Sequence, residues 1–277
     1  MPAPSLTYAF RPDEKARAGF VRVLGEISAR ARDLTRRSLD PPDELIHEGR
    51  LLIKRARALL GFARPVLGPA AYARGREQLR KAAGLLAAHR DLAVTQATLE
   101  RLAGKASKTS DRAAMALIFQ SLAGNRAANE TPRQRLDGAV KILCQAVGGI
   151  KRSLPDRVAW PSASGRVAKA FRAMRRAGKK ARRTRKDADF HAWRKKAKRL
   201  LYQSELTQAK PGRQMARVMK RIGKLQETLG AHQDGVLVEE HLRPMLPVSS
   251  SARRVLRLLE KKKLRLRRKA CRIAHRL

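Results

Sequence analysis

The chain carries one pattern, H-x-x-R-x-x-x-K-R, twice: as His47-Glu-Gly-Arg50-Leu-Leu-Ile-Lys54-Arg55 and as His191-Ala-Trp-Arg194-Lys-Lys-Ala-Lys198-Arg199. The two copies are 144 residues apart. A second pattern, L-x-x-H-x-D, follows each copy, at residues 86–91 and 229–234, with an offset of 143 between its histidines. Two patterns in the same order at nearly equal offsets predict a duplicated unit of about 140 residues.

Around these patterns the sequence is unusually basic. Its 277 residues contain 64 Lys and Arg against 23 Asp and Glu, a formal net charge of +41. Hydrophobic residues make up 43%, which is too many for a disordered basic tail and enough for a buried core. Aromatic residues make up only 4%, which argues against a protein that stacks single-stranded bases on rings. The charge therefore predicts a polyanion or an anionic surface as partner.

Helix-forming residues dominate from end to end, and no segment alternates as a strand would. The fold class is predicted to be all-α. Periodicity and turn residues place the helices at 13–39, 43–64, 69–104, 110–128, 131–153, 163–185, 188–208, 211–245 and 250–275.

On a helix, the His, Arg and Lys of each copy lie within about 60° of one another. We call His47, Arg50 and Lys54 the first stripe, and His191, Arg194 and Lys198 the second stripe. Arg57 extends the first stripe, whereas Arg55 and Arg199 point further round the helix. Because cations at this spacing repel, each stripe is expected to need an anion. Phosphate suits the donor set of Arg, Lys and His.

The H-x-D pattern has a different geometry. Its His and Asp diverge by about 160° on a helix, so they cannot hold one ligand together. We expect Asp91 and Asp234 to brace neighbouring helices by pairing with cations of the stripes. His89 and His232 would then face the anion or fill a packing layer.

The combination of patterns resembles the conserved histidine α-helical domain, abbreviated CHAD. The resemblance runs from residues 8–14 through 47–60 and 86–91 to 191–202 and 229–234. It implies a single domain over 1–277, built as two four-helix bundles related by a pseudo-two-fold, with halves at 1–130 and 131–277. It also implies a basic central groove that binds inorganic polyphosphate and, in several members, targeting to polyphosphate granules.

Two departures from the family accompany the resemblance. Where members often have a tyrosine in a basic run, this chain has Arg175-Arg176-Ala177-Gly178-Lys179. Members fused to a triphosphate-tunnel hydrolase carry an acidic E-x-E-x-K motif, which this sequence lacks. The resemblance therefore gives no reason to expect hydrolysis.

Further basic segments add to the stripes, because their helices hold almost no acids to offset the charge. The predicted polyphosphate-binding residues are His47, Arg50, Lys54, Arg55, Arg57, Arg76, Arg80, Lys81, His89, Arg175, Lys179, His191, Arg194, Lys195, Lys198, Arg199, Tyr202, Lys220, Arg221, Lys224 and His232.

Enzyme motifs are not found. His47-Glu48 begins an H-E-x-x-H pattern that fails at Leu51, and no phosphate-loop, dinucleotide or nucleophile-elbow motif occurs. The prediction is a binding protein without catalysis, cofactor or metal. General nucleic-acid binding is the alternative, and a phosphohydrolase is a third, weaker one.

The remaining expectations concern the compartment. No window approaches 18 consecutive apolar residues, and the N-terminus does not resemble a signal peptide. The predicted location is the cytoplasm, at polyphosphate granules. Cys144 and Cys271 have no metal-binding or disulfide-framework spacing, and they are expected to be small core residues.

Overall fold

The computed structural model of the chain describes residues 8–11, 14–37, 41–104, 108–124, 131–156, 160, 163–207, 212–245 and 249–277. Inside the helices, it leaves the side chains of residues 88–93, 121–124, 163–164 and 207 undescribed.

The described residues are almost entirely helical, with no strand among them, which confirms the all-α prediction. None of the described helices is long and apolar enough to cross a membrane. A 3-10 turn, Arg243–Met245, lies between the last two helices. The α-helices are α1 (Ala16–Arg37), α2 (Asp43–Ala63), α3 (Pro69–Leu85), α4 (Ala87–Ala103), α5 (Thr109–Gly124), α6 (Pro132–Arg152), α7 (Ala163–Thr184), α8 (Asp187–Thr207), α9 (Arg213–Leu242) and α10 (Ser250–His275).

One predicted helix was wrong: the segment 69–104 forms two helices, α3 and α4, that separate at Leu86. Leu86 ends α3 with φ −94° and ψ 8°, and its side chain is buried. Its carbonyl accepts a hydrogen bond from Arg50 Nη1 on α2. The last carbonyls of a helix have no donor within the helix and usually accept hydrogen bonds from water or a capping group. Here a side chain from another helix donates to one of them instead. This contact is tertiary, so local periodicity could not reveal the break.

The start of α6 shows how local sequence sets a helix boundary. Gln134 N donates to Thr131 Oγ1 at 3.2 Å, and Thr131 N donates to Gln134 Oε1 at 2.9 Å. This reciprocal pair is a capping box, and Pro132 supplies a favourable first residue. The helix then buries Leu136 and Leu143, two turns apart on one face.

The residues divide into two compact units. Unit 1 consists of Met1–Ala88, Asn129–Phe171 and Arg199–Gly212. Its core is formed by α1, α2, α3 and α6, which contribute among others Phe20, Leu59, Leu79 and Leu143, each no more than 1% exposed. Burial of such apolar side chains is the main favourable term in folding.

Unit 2 consists of His89–Ala128, Arg172–Lys198 and Arg213–Leu277. One apolar cluster of this unit joins α4, α5, α9 and α10 through Leu99, Met115, Val238 and Val255, each no more than 2% exposed. A separate buried side chain, Trp193 of α8, packs in the same unit.

The two units do not coincide with the predicted halves 1–130 and 131–277. The helices α4 and α5 come from the first half but pack in unit 2, and α6 comes from the second half but packs in unit 1. The apolar faces of these helices determine the assignment, since Leu99 and Met115 are buried with α9 and α10. The duplication itself is a statement about the sequence and stays a prediction.

Gly178 allows α7 to approach the indole of Trp193 closely. Trp193 is 1% exposed, and its Nε1 donates to Met174 Sδ at 3.3 Å. A methyl group on Gly178 would lie 2.8 Å from two ring carbons of that indole. Contacts between real side chains are essentially never this short, so the indole would have to shift, and the close packing favours glycine here.

Replacing Gly178 by Ala is therefore expected to lower the free energy of unfolding by about 1–3 kcal/mol, because the core becomes overpacked. Gly223, inside α9, has no atom within 4 Å of the position of an added methyl group and serves as the matched control. Gly223→Ala is expected to raise the free energy of unfolding by about 0.5–1 kcal/mol through helix propensity. Urea denaturation measures both, and equal stability of the two variants would contradict the packing argument.

Candidate functional site

The first stripe lies on α2, within unit 1. His47 is exposed, and Arg50 and Lys54 are half-buried on the same side of the helix. Arg50 has a structural contact as well, since its Nη1 donates to the carbonyl of Leu86. Arg57, which was predicted to extend the stripe, is exposed one turn further on. The predicted cations therefore follow one face of a single helix.

Arg55, on the same helix, faces a different partner. Its guanidinium carbon lies 3.5 Å from the centroid of the Tyr8 ring, a cation–π contact. Burial raises the pKa of the Tyr8 hydroxyl, and the positive charge of Arg55 opposes that rise. As predicted from the helical angle, Arg55 points away from the first stripe.

Two further arginines meet at the end of the first stripe. Gly61 lies about 40° from His47 around α2 and about 21 Å along it. Its carbonyl accepts hydrogen bonds from Arg166 of α7 and from Arg199 Nη2 of α8, the latter at 3.3 Å. Burial lowers the pKa of Arg166, and the neighbouring charges of Arg199 and Arg64 lower it further. Unit 1 therefore adds two guanidinium groups to the positive charge of the first stripe at its Gly61 end.

Sequence reasoning predicted Arg199 as a binding residue but missed Arg166. No motif marks Arg166, because its position depends on how α7 packs against the last turn of α2. Gly61 leaves room for the guanidinium of Arg199, which lies 3.4 Å from the position of an added methyl group, but it gives no signal for Arg166.

The second stripe lies on α8, within unit 2, where His191, Arg194 and Lys198 are half-buried and Lys195 is exposed. Burial lowers the pKa of the His191 imidazole, and the charge of Lys195 lowers it further, with smaller effects from Arg194 and Lys198. A hydrogen bond with Gln233 acts in the opposite direction. The imidazole is thus less readily protonated than an ordinary histidine.

Each stripe contacts the L-x-x-H-x-D segment that follows it in the sequence. In unit 1, Arg50 donates to Leu86, 36 residues later. In unit 2, Arg194 Nε lies 3.5 Å from the position that a methyl group on Gly230 would occupy, and Gly230 also comes 36 residues later. The arginine of the first pattern and the start of the second are thus neighbours in both units.

His232 does not reach a surface. It is 1% exposed, and its Nε2 lies 3.0 Å from Asp187 Oδ1 and 3.1 Å from Arg267 Nε. Its ring also packs 5.2 Å from the ring of Phe190. Of the two alternatives that the H-x-D geometry left open, the structure favours the packing layer. We therefore leave His232 out of the candidate binding residues.

A network of ion pairs surrounds Asp187 and connects α8, α9 and α10. Lys263 is 6% exposed, and its Nζ lies 2.8 Å from Asp187 Oδ2 and also contacts Glu239. Burial of Asp187 disfavours its charged form, but hydrogen bonds from His232, Lys263 and Arg267 outweigh burial and hold its pKa well below the usual range. No motif of the sequence predicted this network.

Replacing Asp187 by Asn removes the anion that the cations Lys263 and Arg267 share and that His232 contacts. We expect the free energy of unfolding at pH 7 to fall by about 2–4 kcal/mol. The lowered pKa means that this stability is present above the ordinary aspartate pKa and is lost as the pH falls toward the folded-state value. The difference between wild type and variant should therefore shrink between about pH 5 and pH 2 in urea titrations.

Asp156 provides the control for that experiment. It pairs with Arg17 at 2.7 Å, but its side chain is 89% exposed. Asp156→Asn is expected to change the free energy of unfolding by less than about 1 kcal/mol. An effect of Asp187→Asn that equals this control, or that does not vary with pH, would contradict the network's role.

One aspartate of the H-x-D pattern contacts a neighbouring helix. Asp234 Oδ2 of α9 lies 4.0 Å from Arg101 Nη2 of α4, and the Arg101 side chain is 53% exposed. Arg101 lies outside the stripes, so the pairing of Asp91 and Asp234 with cations of the stripes stays a prediction. The side chains of His89 and Asp91 lie outside the described residues.

The other predicted binding residues are distributed over several helices. In unit 1, Arg76, Arg80 and Lys81 are exposed on α3, and Arg80 forms an ion pair with Glu77 at 2.7 Å. Tyr202 is half-buried on α8.

In unit 2, Lys220, Arg221 and Lys224 are exposed on α9, and Arg221 Nη1 donates to the carbonyl of Arg276 at 2.9 Å. Arg175 and Lys179 are exposed on α7, where they line a cavity of about 200 Å³ above Trp193. The described part of the chain holds no group of three or more His, Cys, Asp or Glu side chains arranged for a metal ion.

Comparison with known proteins adds one match. A family model described as the CHAD domain matches residues 21–243, most of the chain. The matched range contains both stripes and both L-x-x-H-x-D segments. No curated protein matches the sequence.

Proposed function

The chain belongs to the CHAD family, and on this premise we propose that it binds inorganic polyphosphate through the first and second stripes. The observation that carries the proposal is the alignment of cations along one face of α2, from His47 to the arginines at Gly61. Over about 21 Å this face presents Arg and Lys side chains at helical spacing. A linear chain of phosphates can contact such a row along its whole length.

The mechanism is electrostatic. Neighbouring cations on one helix face repel, so a bound polyanion removes a cost that is present in the free protein. Guanidinium and ammonium groups donate charge-assisted hydrogen bonds to phosphate oxygens, which are about twice as strong as neutral ones. The release of counterions from the polyanion adds a favourable term that decreases with salt concentration.

The structure modifies the residue set of this proposal. Arg166 joins it because it shares the Gly61 carbonyl with Arg199. His232 leaves it because of its burial. Arg50 is a poor test position, since its bond to Leu86 gives it a structural role that any substitution would also remove.

Three finer points belong to the same proposal. The protein acts without catalysis, as a binding protein at polyphosphate granules. It arose by duplication of a bundle. In each copy the arginine of the first pattern lies near the start of the second pattern, at Leu86 and at Gly230, and this supports the duplication.

The decisive experiment removes one lysine from each stripe. We expect Lys54→Gln/Lys198→Gln to weaken the binding of long-chain polyphosphate by about tenfold or more, because charge-assisted hydrogen bonds contribute roughly 1.5–3 kcal/mol each. The slope of log K against log salt concentration should become shallower by about 1.4, the value for two lost contacts with a single-stranded polyanion. Isothermal titration at several salt concentrations measures both quantities.

The control is Lys141→Gln/Lys261→Gln, which makes the same chemical change at exposed lysines of α6 in unit 1 and α10 in unit 2. It should weaken binding by less than about threefold. Equal losses in both double variants would refute the role of the stripes. If duplex DNA displaced polyphosphate at equal phosphate concentration and physiological salt, the protein would instead be a general nucleic-acid binder.

The lowered pKa of His191 leads to a second prediction. A phosphate beside the imidazole favours its protonated form, so binding should be accompanied by proton uptake. Because the pKa rises on binding, affinity is expected to increase as the pH falls through the pKa of the complex, and to level off below the lower pKa of the free protein.

Between pH 8 and pH 5.5, wild type should gain about three- to tenfold more affinity than His191→Gln. Protonation of polyphosphate itself affects both proteins equally, so it does not contribute to the ratio of their affinities. His241→Gln serves as the control, since His241 lies outside the stripes, where its Nδ1 is 3.0 Å from Thr95 Oγ1. Parallel pH profiles of wild type and His191→Gln would contradict the prediction.

A further inference from the structure

Unit 1 contains a cavity between α3 and α6 that plays no part in the proposal above. Its volume is about 690 Å³, within the range of about 300–1,000 Å³ that is typical of small-molecule sites. Both helices belong to unit 1, and all of the lining residues are described.

The α3 wall of the cavity carries Arg74 and Gln78 beside Ala71 and Gly75. These positions share one face of the helix at i, i+3, i+4 and i+7. Arg76 lies about 160° away from Gln78, on the opposite face. The cations of α3 that were predicted to bind polyphosphate and those that line the cavity are therefore distinct groups.

The α6 wall carries Gln145 and Arg152, with Gly148 and Gly149 between them. An added methyl group at Gly149 would meet no atom within 4 Å, so the backbone there is open to the cavity. At Gly148 the same methyl group would lie 3.4 Å from Arg152 Nη1, which shows the guanidinium folded over the glycine. This wall thus combines the side-chain donors of Gln145 and Arg152 with glycine backbone that no side chain covers.

Ser153, just after α6, donates its hydroxyl to the carbonyl of Gly149 at 2.9 Å, whereas the other polar side chains of the walls have no partner in the described part of the chain. Arg74, Gln78, Gln145 and Arg152 form no hydrogen bond or ion pair with any described residue. On the other face of α3, by contrast, Arg80 is paired with Glu77 at 2.7 Å. No carboxylate lines the cavity, so its two guanidinium groups have no internal counter-ion there.

We propose that this cavity binds a nucleoside mono- or diphosphate. The guanidinium groups of Arg74 and Arg152 match phosphate oxygens. The amides of Gln78 and Gln145 each present donors and an acceptor, as the edge of a heterocyclic base requires. The open backbone at Gly149 and the apolar Ala71 leave room for a flat ring. Inorganic phosphate would fill only a small part of this volume.

Cys144 reports on occupancy, because it lines the cavity and is half-buried. Cys271, the other cysteine of the chain, lies on α10 in unit 2 and is half-buried as well, so it is an internal control. The experiment follows alkylation of both thiols of the full chain by N-ethylmaleimide, using mass spectrometry. Alkylation is measured with and without ADP or GDP at about 1 mM, a concentration that occupies half of a site whose Kd is about 1 mM.

We expect ADP or GDP to slow the alkylation of Cys144 at least about threefold and to leave Cys271 unchanged, since Cys144 lines the cavity, with its Sγ 3.8 Å from the Ser28 carbonyl oxygen of α1, and Cys271 does not line it. Arg74→Gln should abolish the protection, whereas Arg76→Gln, the same change on the opposite face of α3, should retain it. Gly149→Leu should also abolish it by filling the cavity. For each variant, the rate of Cys144 alkylation with nucleotide is compared with the rate without nucleotide.

Several results would overturn the proposal. They are an absence of protection by both nucleotides, equal protection of Cys271, or equal loss in Arg74→Gln and Arg76→Gln. Protection by pyrophosphate as strong as that by ADP would assign the cavity to inorganic phosphates instead. The site shares no residue with the stripes, so these outcomes are independent of whether the protein binds polyphosphate.

Discussion

Repulsion among 64 lysine and arginine side chains is the constraint on which the rest of this structure depends, because only 23 carboxylates are present to offset them. Several of the carboxylates pair with buried or half-buried cations. Asp187 and Glu239 neutralise the buried Lys263 in unit 2. In unit 1, Glu14 and Glu26 both pair with Arg22. Using acids at such junctions stabilises the helix packing, and it leaves other helix faces with a large positive excess.

Backbone carbonyls at helix ends replace some of the missing acids. Arg50 donates to Leu86 at the end of α3, and Arg166 and Arg199 both donate to Gly61 in the last turn of α2. A helix C-terminus carries a partial negative charge of roughly −0.5, so it attracts a guanidinium without neutralising it. These arginines therefore help to hold the helices in place and still contribute positive charge to the surface that we propose for polyphosphate.

Sequence periodicity was sufficient for features that depend on one helix at a time. It predicted the all-α class, most helix positions and the alignment of both stripes. It failed where a second helix decides the outcome. The break at Leu86 depends on a bond from α2, the position of Arg166 depends on its bond to Gly61 of α2, and the burial of His232 depends on Asp187 and Arg267. In each case an arginine or histidine that looks like a surface cation in the sequence contacts another helix.

The combination of histidine with arginine and lysine in each stripe follows from the same constraint. Arginine and lysine keep their charge whether or not a ligand is bound, so every such residue adds permanently to the repulsion. His191 differs, because burial and neighbouring cations lower its pKa and favour the neutral form in the free protein. Under the polyphosphate proposal, a phosphate beside this histidine favours its charged form. The stripe can thus have one more cation in the complex than in the free protein, at no cost in repulsion before the ligand binds.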